Sequence, residues 1–299
     1  MHRCGFVALV GRPNVGKSTL LNALLGQKLA IVSPRPQTTR NRIPGILTRP
    51  DAQVVFIDTP GIHNARGGLN RYMNNVAREA FGQADLVLYL VEAGASVDLK
   101  VSISDLDRQI LSEVAQAGKP AALVINKVDR VDRPVLLPII DAWRQVHTFN
   151  EIVPISALRQ DGVEQLVDAI VRYLPESQRL YDEDELTELP ARFLAAELVR
   201  ERLFHALDKE LPYSAACTIE SWRQRPDGLT VIDAVIHVER DSQKGIVIGK
   251  GGQMLKKIGS EARQSIEEML GGRVHLGLFV RVETRWTDTP AAMRKLGYE

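Results

Sequence analysis

The sequence predicts two folded units: an α/β domain whose mostly parallel sheet is covered by helices on both faces, then a smaller α+β domain. Three observations carry this. Up to residue 174, short apolar runs at 6–10, 54–57, 86–91, 121–125 and 152–155 alternate with segments of helical spacing, the pattern of a parallel sheet. A charge run at 176–189, with six acids against one base, breaks that alternation. Beyond Pro190 the order changes to helix, two strands, two helices about a glycine loop, and a last strand. The expected boundaries are 1–175 for the first domain, 176–189 for a solvated linker and 190–299 for the second.

The run at 6–10 leads into Gly11-Arg12-Pro13-Asn14-Val15-Gly16-Lys17-Ser18, which fits the phosphate-binding loop G-x-x-x-x-G-K-[ST]. Thr19 opens a helix with Leu20, Leu21, Leu24 and Leu25 at helical spacing, and Gly26 can cap it. Glycines let the backbone approach phosphate oxygens, and the loop amides and helix N-terminus supply partial positive charge. Lys17 is expected on the β- and γ-phosphates and the Ser18 hydroxyl on Mg²⁺.

The proline-containing loop at 33–40 stands where a GTPase carries its first switch, with Thr39, or else Thr38, as the threonine that closes on Mg²⁺. The apolar run at 54–57 ends in Asp58-Thr59-Pro60-Gly61. Asp58 is the expected acidic partner of the metal, and the Gly61 N–H is expected at the γ-phosphate. Residues 62–68 form a polar, glycine-containing loop suited to a second switch. A helix follows, with Leu69, Tyr72, Met73 and Val76 on one face. Many GTPases have a glutamine after the glycine to orient the attacking water; here it is Ile62, which cannot hydrogen-bond water, so hydrolysis is expected to be slow, to use another group or to wait for a partner, while Ile62 itself is expected among the nucleotide-binding residues by its place in the motif. The next polar side chain, His63, reads as a bystander.

Beyond a helix containing Ile103, Leu106, Ile110 and Val114, the run at 121–125 ends in Asn126-Lys127-Val128-Asp129. Asp129 can accept from the N1–H and 2-amino group of guanine. Adenine lacks both donors and would leave a carboxylate unpaired, a cost of about 1–3 kcal/mol. Lys127 can lay its stem along the base, and Asn126 can tie this loop to the phosphate loop. The last run ends in Ser156-Ala157-Leu158, where the Ala157 N–H is expected at the guanine carbonyl. The phosphate loop and the loops after the runs at 54–57, 121–125 and 152–155 lie at strand C-terminal ends, the ligand edge of a parallel sheet.

In the second domain, Arg225-Pro226-Asp227-Gly228 joins two strands, about 214–222 and 229–239. Gly249-Lys250-Gly251-Gly252 then stands between two helical segments. A G-x-x-G turn in this element order is the loop with which a KH module, here of type II, clamps about four nucleotides of single strand. Ile246 and Ile248 are expected to line a groove for bases. Lys244, Lys256 and Lys257 make the neighbourhood basic, so binding should weaken with salt. The overall balance, 38 basic against 37 acidic residues, excludes binding by bulk charge. Two distant cysteines, Cys4 and Cys217, exclude a zinc cluster and suit a reducing compartment. No apolar run approaches a membrane span, and no signal peptide is expected. The tail after Arg285 shows no chemistry.

These motifs, with Gln37-Thr38-Thr39-Arg40 and the run from Glu239-Arg240-Asp241-Ser242-Gln243-Lys244-Gly245 into Ile248-Gly249-Lys250-Gly251-Gly252, resemble the Era family of bacterial GTPases over nearly the whole chain. The resemblance implies GTP hydrolysis to GDP and phosphate with Mg²⁺. It implies binding of the 3′ region of 16S ribosomal RNA and help in maturing the small ribosomal subunit. It also implies a potassium ion held by Asn14, a substitute positive charge at the transition state. A monomer in the cytoplasm is expected, with peripheral association at the inner membrane also attributed to the family. An order–disorder change in residues about 33–45 and 61–70 is expected to be felt by the second domain. The alternatives that fit the same motifs are another ribosome-assembly or tRNA-modification GTPase, an ATPase, and a nucleotide-gated RNA-binding scaffold that scarcely turns over.

Overall fold

The structure, a computed structural model, describes residues 2–64, 66–94 and 103–298. Ala65, inside the expected second switch loop, lies outside the described residues. The chain divides into two compact units, one of residues 1–65 and 73–188, the other of residues 66–72 and 189–299.

The first unit holds β1 (Arg3–Gly11), α1 (Lys17–Leu25), β2 (Ile43–Thr48) and β3 (Ala52–Asp58). Next come α2 (Gly68–Gln83), whose first turn clusters with the other unit, β4 (Leu86–Glu92), α3 (Asp105–Gln116) and β5 (Ala121–Asn126). The unit closes with α4 (Leu136–Arg144), β6 (Glu151–Pro154) and α5 (Val163–Val171). The sheet order is β2-β3-β1-β4-β5-β6, parallel throughout except for β2 against β3. Strands β1, β3, β4 and β5 are buried on both faces, which explains their continuous apolar runs. Gly26 caps α1 in the left-handed conformation, φ 68°.

Strand β2 escaped the sequence reading because Pro44 and Gly45 argue against a strand. Its edge position accommodates both. Pro44 needs no ladder donor there, and its carbonyl accepts the Thr187 hydroxyl at 2.6 Å. A Cβ at Gly45 would stand 2.7 Å from Leu25 Cδ1, so the glycine lets α1 close on the sheet. The helix expected from Ile103 begins at Asp105, because Ser104 is its N-cap in a capping box with Asp107.

The acidic segment 176–189, expected as a solvated linker, keeps its carboxylates at the surface but is tied down by its backbone. Ile46 N donates to Leu186 O at 2.8 Å. The buried Gln53 side chain accepts from Leu180 N and Tyr181 N and donates to Tyr181 O and to Thr48 Oγ1. A buried amide with all its valences used in this way holds a loop that charge patterning reads as free.

The second unit contains α6 (Ala191–Ala206), β7 (Ala216–Gln224), β8 (Thr230–Val238), α7 (Asp241–Ile248), α8 (Gln253–Leu270), β9 (Val274–Val282) and α9 (Pro290–Lys295). Strand β8 is central, antiparallel to β7 and parallel to β9. β7 starts later than expected because 211–214 forms a short 3₁₀ turn. Ile232, Ala234, Ile236 and Val238 of β8 are fully buried. The tail, which the sequence left unread, forms α9 and places Trp286, Met293, Leu296 and Tyr298 in a small core with Ala216. The Trp286 indole N–H donates to Ser214 O at 2.8 Å, and its ring stacks on Tyr298. No described helix is long and apolar enough to cross a membrane.

Candidate nucleotide site and nucleic-acid interface

At the C-terminal edge of the first sheet lies a cleft of about 450 Å³, lined by Pro13, Asn14, Gly16, Lys17, Ser18 and Thr19 from the phosphate loop and the start of α1, by Thr39 from the loop after α1, and by Thr59, Gly61 and Lys127 beyond the ends of β3 and β5. Two left-handed residues, Asn14 (φ 64°) and Gly16 (φ 99°), shape the loop. Gly16 is obligatory on two counts: its backbone sign, and a Cβ that would lie 2.3 Å from Asn126 Nδ2. Val15 is buried and anchors the loop, while Gly11 ends β1 and Arg12 points outward to Asp107 at 3.7 Å.

Lys17 is buried, and its Nζ donates to Gly11 O at 3.1 Å and Arg12 O at 3.0 Å. Burial pushes its pKa down to about 8, opposed by the Asp58 charge. Beside it, three oxygens from three segments converge. Ser18 Oγ donates to Asp58 Oδ2 at 2.6 Å and lies 2.8 Å from Thr39 Oγ1, which reaches the same carboxylate at 3.3 Å. Burial lifts the Asp58 pKa to about 6, against Lys17, the two hydroxyls and the Thr59 amide. Asp58 Oδ1 is buried with no hydrogen-bond partner. An orphaned carboxylate oxygen beside two hydroxyls is a donor set suited to a hard divalent cation. Thr39 rather than Thr38 makes this contact; the Thr38 hydroxyl is bonded to Ser33 and Arg35 O.

The loop after β3 is packed against the phosphate loop. A Cβ on Gly61 would stand 2.6 Å from Pro13 N and 2.7 Å from Pro13 Cα. The Thr59 hydroxyl donates to Leu9 O at 2.7 Å, and Pro60 is buried. Ile62 corrects an expectation. Placed among the nucleotide-binding residues by its position in the motif, it is fully buried with Ala8, Val10 and Ala77 in the core, and its N–H donates to Gly11 O at 3.2 Å. It packs; it does not face the cleft. His63, read as a bystander, makes side-chain contacts on both sides, to Gln37 and to Gly61 O.

The base loop is built on Asn126, which is 2% exposed. Its Nδ2 donates to Val15 O at 2.9 Å, and its Oδ1 accepts from Lys127 N at 2.8 Å and Ala157 N at 3.0 Å. The expected tie between base loop and phosphate loop is therefore present. The Ala157 amide, expected at a guanine carbonyl, is committed here to Asn126 instead, because the two loops close directly on each other. Lys127 Nζ donates to Asn14 O and to Glu92, both at 2.7 Å, which stretches its stem across the cleft. Asp129 is exposed; Ser156 Oγ donates to its Oδ1 at 2.6 Å and holds the carboxyl below the usual range. Val128 turns its side chain to the core, and Leu158 is exposed. Sequence reasoning missed Glu92, the partner of Lys127. A charged residue closing an apolar strand was the available signal.

In the second unit, α7 ends at Gly249 (φ 72°), and Gly251 and Gly252 are also left-handed, so the turn exposes its backbone and the Lys250 side chain. A Cβ at Gly249 would stand 2.7 Å from Met254 Cβ. The groove beside the turn is lined by Gly252, Leu255, Lys256, Gly259, Leu276 and Leu278. This corrects the expected lining. Ile246 and Ile248 are absent from it: Ile246 is 56% exposed on α7 and Ile248 is half-buried. The groove runs between α8 and β9, and Gly259 lets β9 approach, since its Cβ would meet Leu278 at 3.2 Å. Lys257 is exposed on α8, while Lys244 lines a separate hollow with Phe279 and Arg281.

A phosphate loop, an Asn-Lys-Val-Asp loop closed onto it through Asn126 and a G-x-x-G turn in the second unit define the class: a phosphate-loop GTPase joined to a KH module. Residues 6–127 match the family model described as 50S ribosome-binding GTPase, and residues 210–287 match that of the KH domain. The chain is 50% identical over 297 residues to the GTPase Era of Geotalea uraniireducens, covering 99% of this chain and 98% of the relative. It is 46% identical over 297 residues to that of Lacticaseibacillus paracasei, covering 99% and 97%. Two solved structures superpose at a TM-score of 0.94 with 40% identity: a point variant of Aquifex aeolicus Era bound to GDP and AlF₄⁻, covering 99% of both chains, and Era with MgGDPNP and nucleotides 1506–1542 of 16S ribosomal RNA, covering 100% of this chain and 99% of that one. The chain belongs to the Era GTPase family.

Proposed function

We propose that this GTPase binds the 3′ region of small-subunit ribosomal RNA with its KH unit and serves the maturation of the small ribosomal subunit. The observation that carries the reading is the exposed, left-handed turn at 249–252 with Lys250 at its tip, opening on an apolar groove. Single-stranded RNA fits such a surface through phosphate contacts at the turn and bases in the groove. A solved relative with 40% identity carries nucleotides 1506–1542 of 16S ribosomal RNA, which supports the assignment.

In the first unit the loop 11–18 cradles the phosphates of GTP, with Lys17 leaving the carbonyls of Gly11 and Arg12 for the β- and γ-phosphates. Ser18, Thr39 and Asp58 hold Mg²⁺, and Asp58 Oδ1 takes a partner it lacks here. Bound there, the ion neutralises charge that develops on the phosphoryl oxygens. The Gly61 N–H meets the γ-phosphate, and Asp129 reads guanine. With Ile62 buried, no side chain at that position orients water, so turnover is slow; Asn14 would hold a potassium ion, which would supply part of the missing positive charge. The states of residues 33–45 and 61–70 are coupled to RNA binding.

The test is the affinity of the full chain for an oligonucleotide of the small-subunit RNA 3′ end, with GDPNP and with GDP. Tighter binding of that sequence than of a scrambled one is expected; equal affinities for the two sequences would end the ribosomal assignment. Equal affinities with the two nucleotides would remove the coupling alone. Replacement of potassium by sodium is expected to lower GTP turnover.

A further inference from the structure

His63 lies outside the motifs, yet its ring stands between the two switch segments. Its Nε2 is 3.1 Å from Gln37 Nε2, in the loop that carries Thr39, and its Nδ1 is 2.9 Å from the carbonyl oxygen of Gly61. Asn74 of α2, 5% exposed, grips the same residue by its backbone: His63 N donates to Asn74 Oδ1 at 3.3 Å, and Asn74 Nδ2 donates to His63 O at 2.7 Å. The side chain is thereby held at both ends.

The chemistry of these partners fixes the tautomer. The Gly61 carbonyl only accepts, so Nδ1 must carry the proton. A neutral ring then presents a lone pair at Nε2, which accepts from the Gln37 amide N–H. An imidazolium would have a donor at both nitrogens and would face the Gln37 amide group donor to donor. The peptide between Gly61 and Ile62 is constrained twice, since its carbonyl accepts from Nδ1 and its N–H donates to Gly11 O at 3.2 Å. That peptide follows directly on the Gly61 N–H.

We propose that His63 is a positioning residue for GTP hydrolysis: as the neutral Nδ1–H tautomer it latches the Thr39 loop to the Gly61 loop across the mouth of the cleft. The inference rests on the reading that this cleft hydrolyses GTP. Holding both loops in register keeps the threonine and the glycine amide aligned on the same phosphoryl group, where small misplacements cost rate. Gln37 is the matching half of the latch, kept in place by a left-handed backbone, φ 61°.

A double-mutant cycle of the full chain tests it, with His63→Ala, Gln37→Ala and the pair, reading kcat and KM for GTP and the affinity for GDP. Loss of one hydrogen bond at this point should lower kcat about fivefold to tenfold in each single variant, with KM and GDP affinity within about twofold. The double variant should be no slower than the worse single one, because either change opens the same latch. His63→Gln, which puts an amide near the Nε2 position, should recover part of the rate in the presence of Gln37 and none in its absence. Unchanged kcat in the single variants, or losses that simply multiply, would overturn the latch. So would ¹⁵N spectra of the wild-type chain with GDPNP that place the His63 proton on Nε2. If the wild-type chain itself failed to turn over GTP, the reading beneath the latch would fall first.

Discussion

Replacing Asn126 by alanine probes the joint on which both halves of the nucleotide cleft rest. The side chain is 2% exposed and makes three hydrogen bonds, to Val15 O, Lys127 N and Ala157 N, at 2.8–3.0 Å. Alanine removes all three. The Val15 carbonyl and the Ala157 amide are left in a buried site with no substitute partner, at about 1–3 kcal/mol each. Cavity formation adds to this, and water entering from the open cleft relieves part of it. A net loss of about 3 kcal/mol is expected. Because the broken contacts join the phosphate loop to the base loop, much of that loss should appear in nucleotide binding, which aligns the same two loops. The predicted outcome is GDP affinity lowered about 100-fold, with a lower midpoint for thermal unfolding of the nucleotide-free protein. Fluorescent-nucleotide titration and differential scanning fluorimetry read the two quantities. GDP affinity within twofold of wild type would refute the reasoning, since it would mean that the loops hold their geometry without the side chain that spans them.

Gly61→Ala should abolish most GTP turnover, because the new Cβ would lie 2.6 Å from Pro13 N, backbone that cannot yield cheaply; a rate within threefold of wild type would contradict this. Asp129→Asn should cost GTP about 1–3 kcal/mol of affinity relative to xanthosine triphosphate, whose base presents an acceptor where guanine has its amino group, as competition binding would show. Lys250→Glu should weaken binding of single-stranded RNA uniformly across sequences and reduce the slope of log affinity against log salt by about 1 or more, leaving GTP turnover without RNA unchanged. The fourth outcome concerns pH. His237, 2% exposed and 2.8 Å from Thr218 Oγ1, has its pKa lowered to about 4 by burial, with Glu283 opposing. The folded state thus favours the neutral ring, while the unfolded chain takes up a proton near 6.5. The stabilisation is complete above about pH 6.5 and is lost as pH falls from there towards 4, amounting to about 3 kcal/mol at most. Urea unfolding of the second unit, followed by Trp286 fluorescence, should show this loss between pH 7 and 4.5, and His237→Gln should flatten it.

The chain of residues determined most of the nucleotide cleft by itself. Local order sufficed where one backbone conformation is demanded: Gly16, Gly249, Gly251 and Gly252 all take positive φ in the structure, and their spacing around Lys17 and Lys250 was readable without coordinates. Strands buried on both faces announced themselves as continuous apolar runs, and Asn126 was legible as the tie between two loops. Tertiary structure alone decided the rest, because those outcomes depend on what lies opposite a residue rather than beside it. Strand β2 exists despite Pro44 because it sits at an edge, and the acidic stretch is held because Gln53 is buried beneath it. Ile62 follows a motif that faces phosphate, yet the close packing of Gly61 on Pro13 turns it into the core. The groove beside the G-x-x-G turn is lined by β9 and α8 instead of Ile246 because strand order, set some 30 residues later in the chain, determines which helix face is covered. His63 looked idle in sequence for the same reason: its partner Gln37 is 26 residues away, and only folding brings the imidazole and the side-chain amide together.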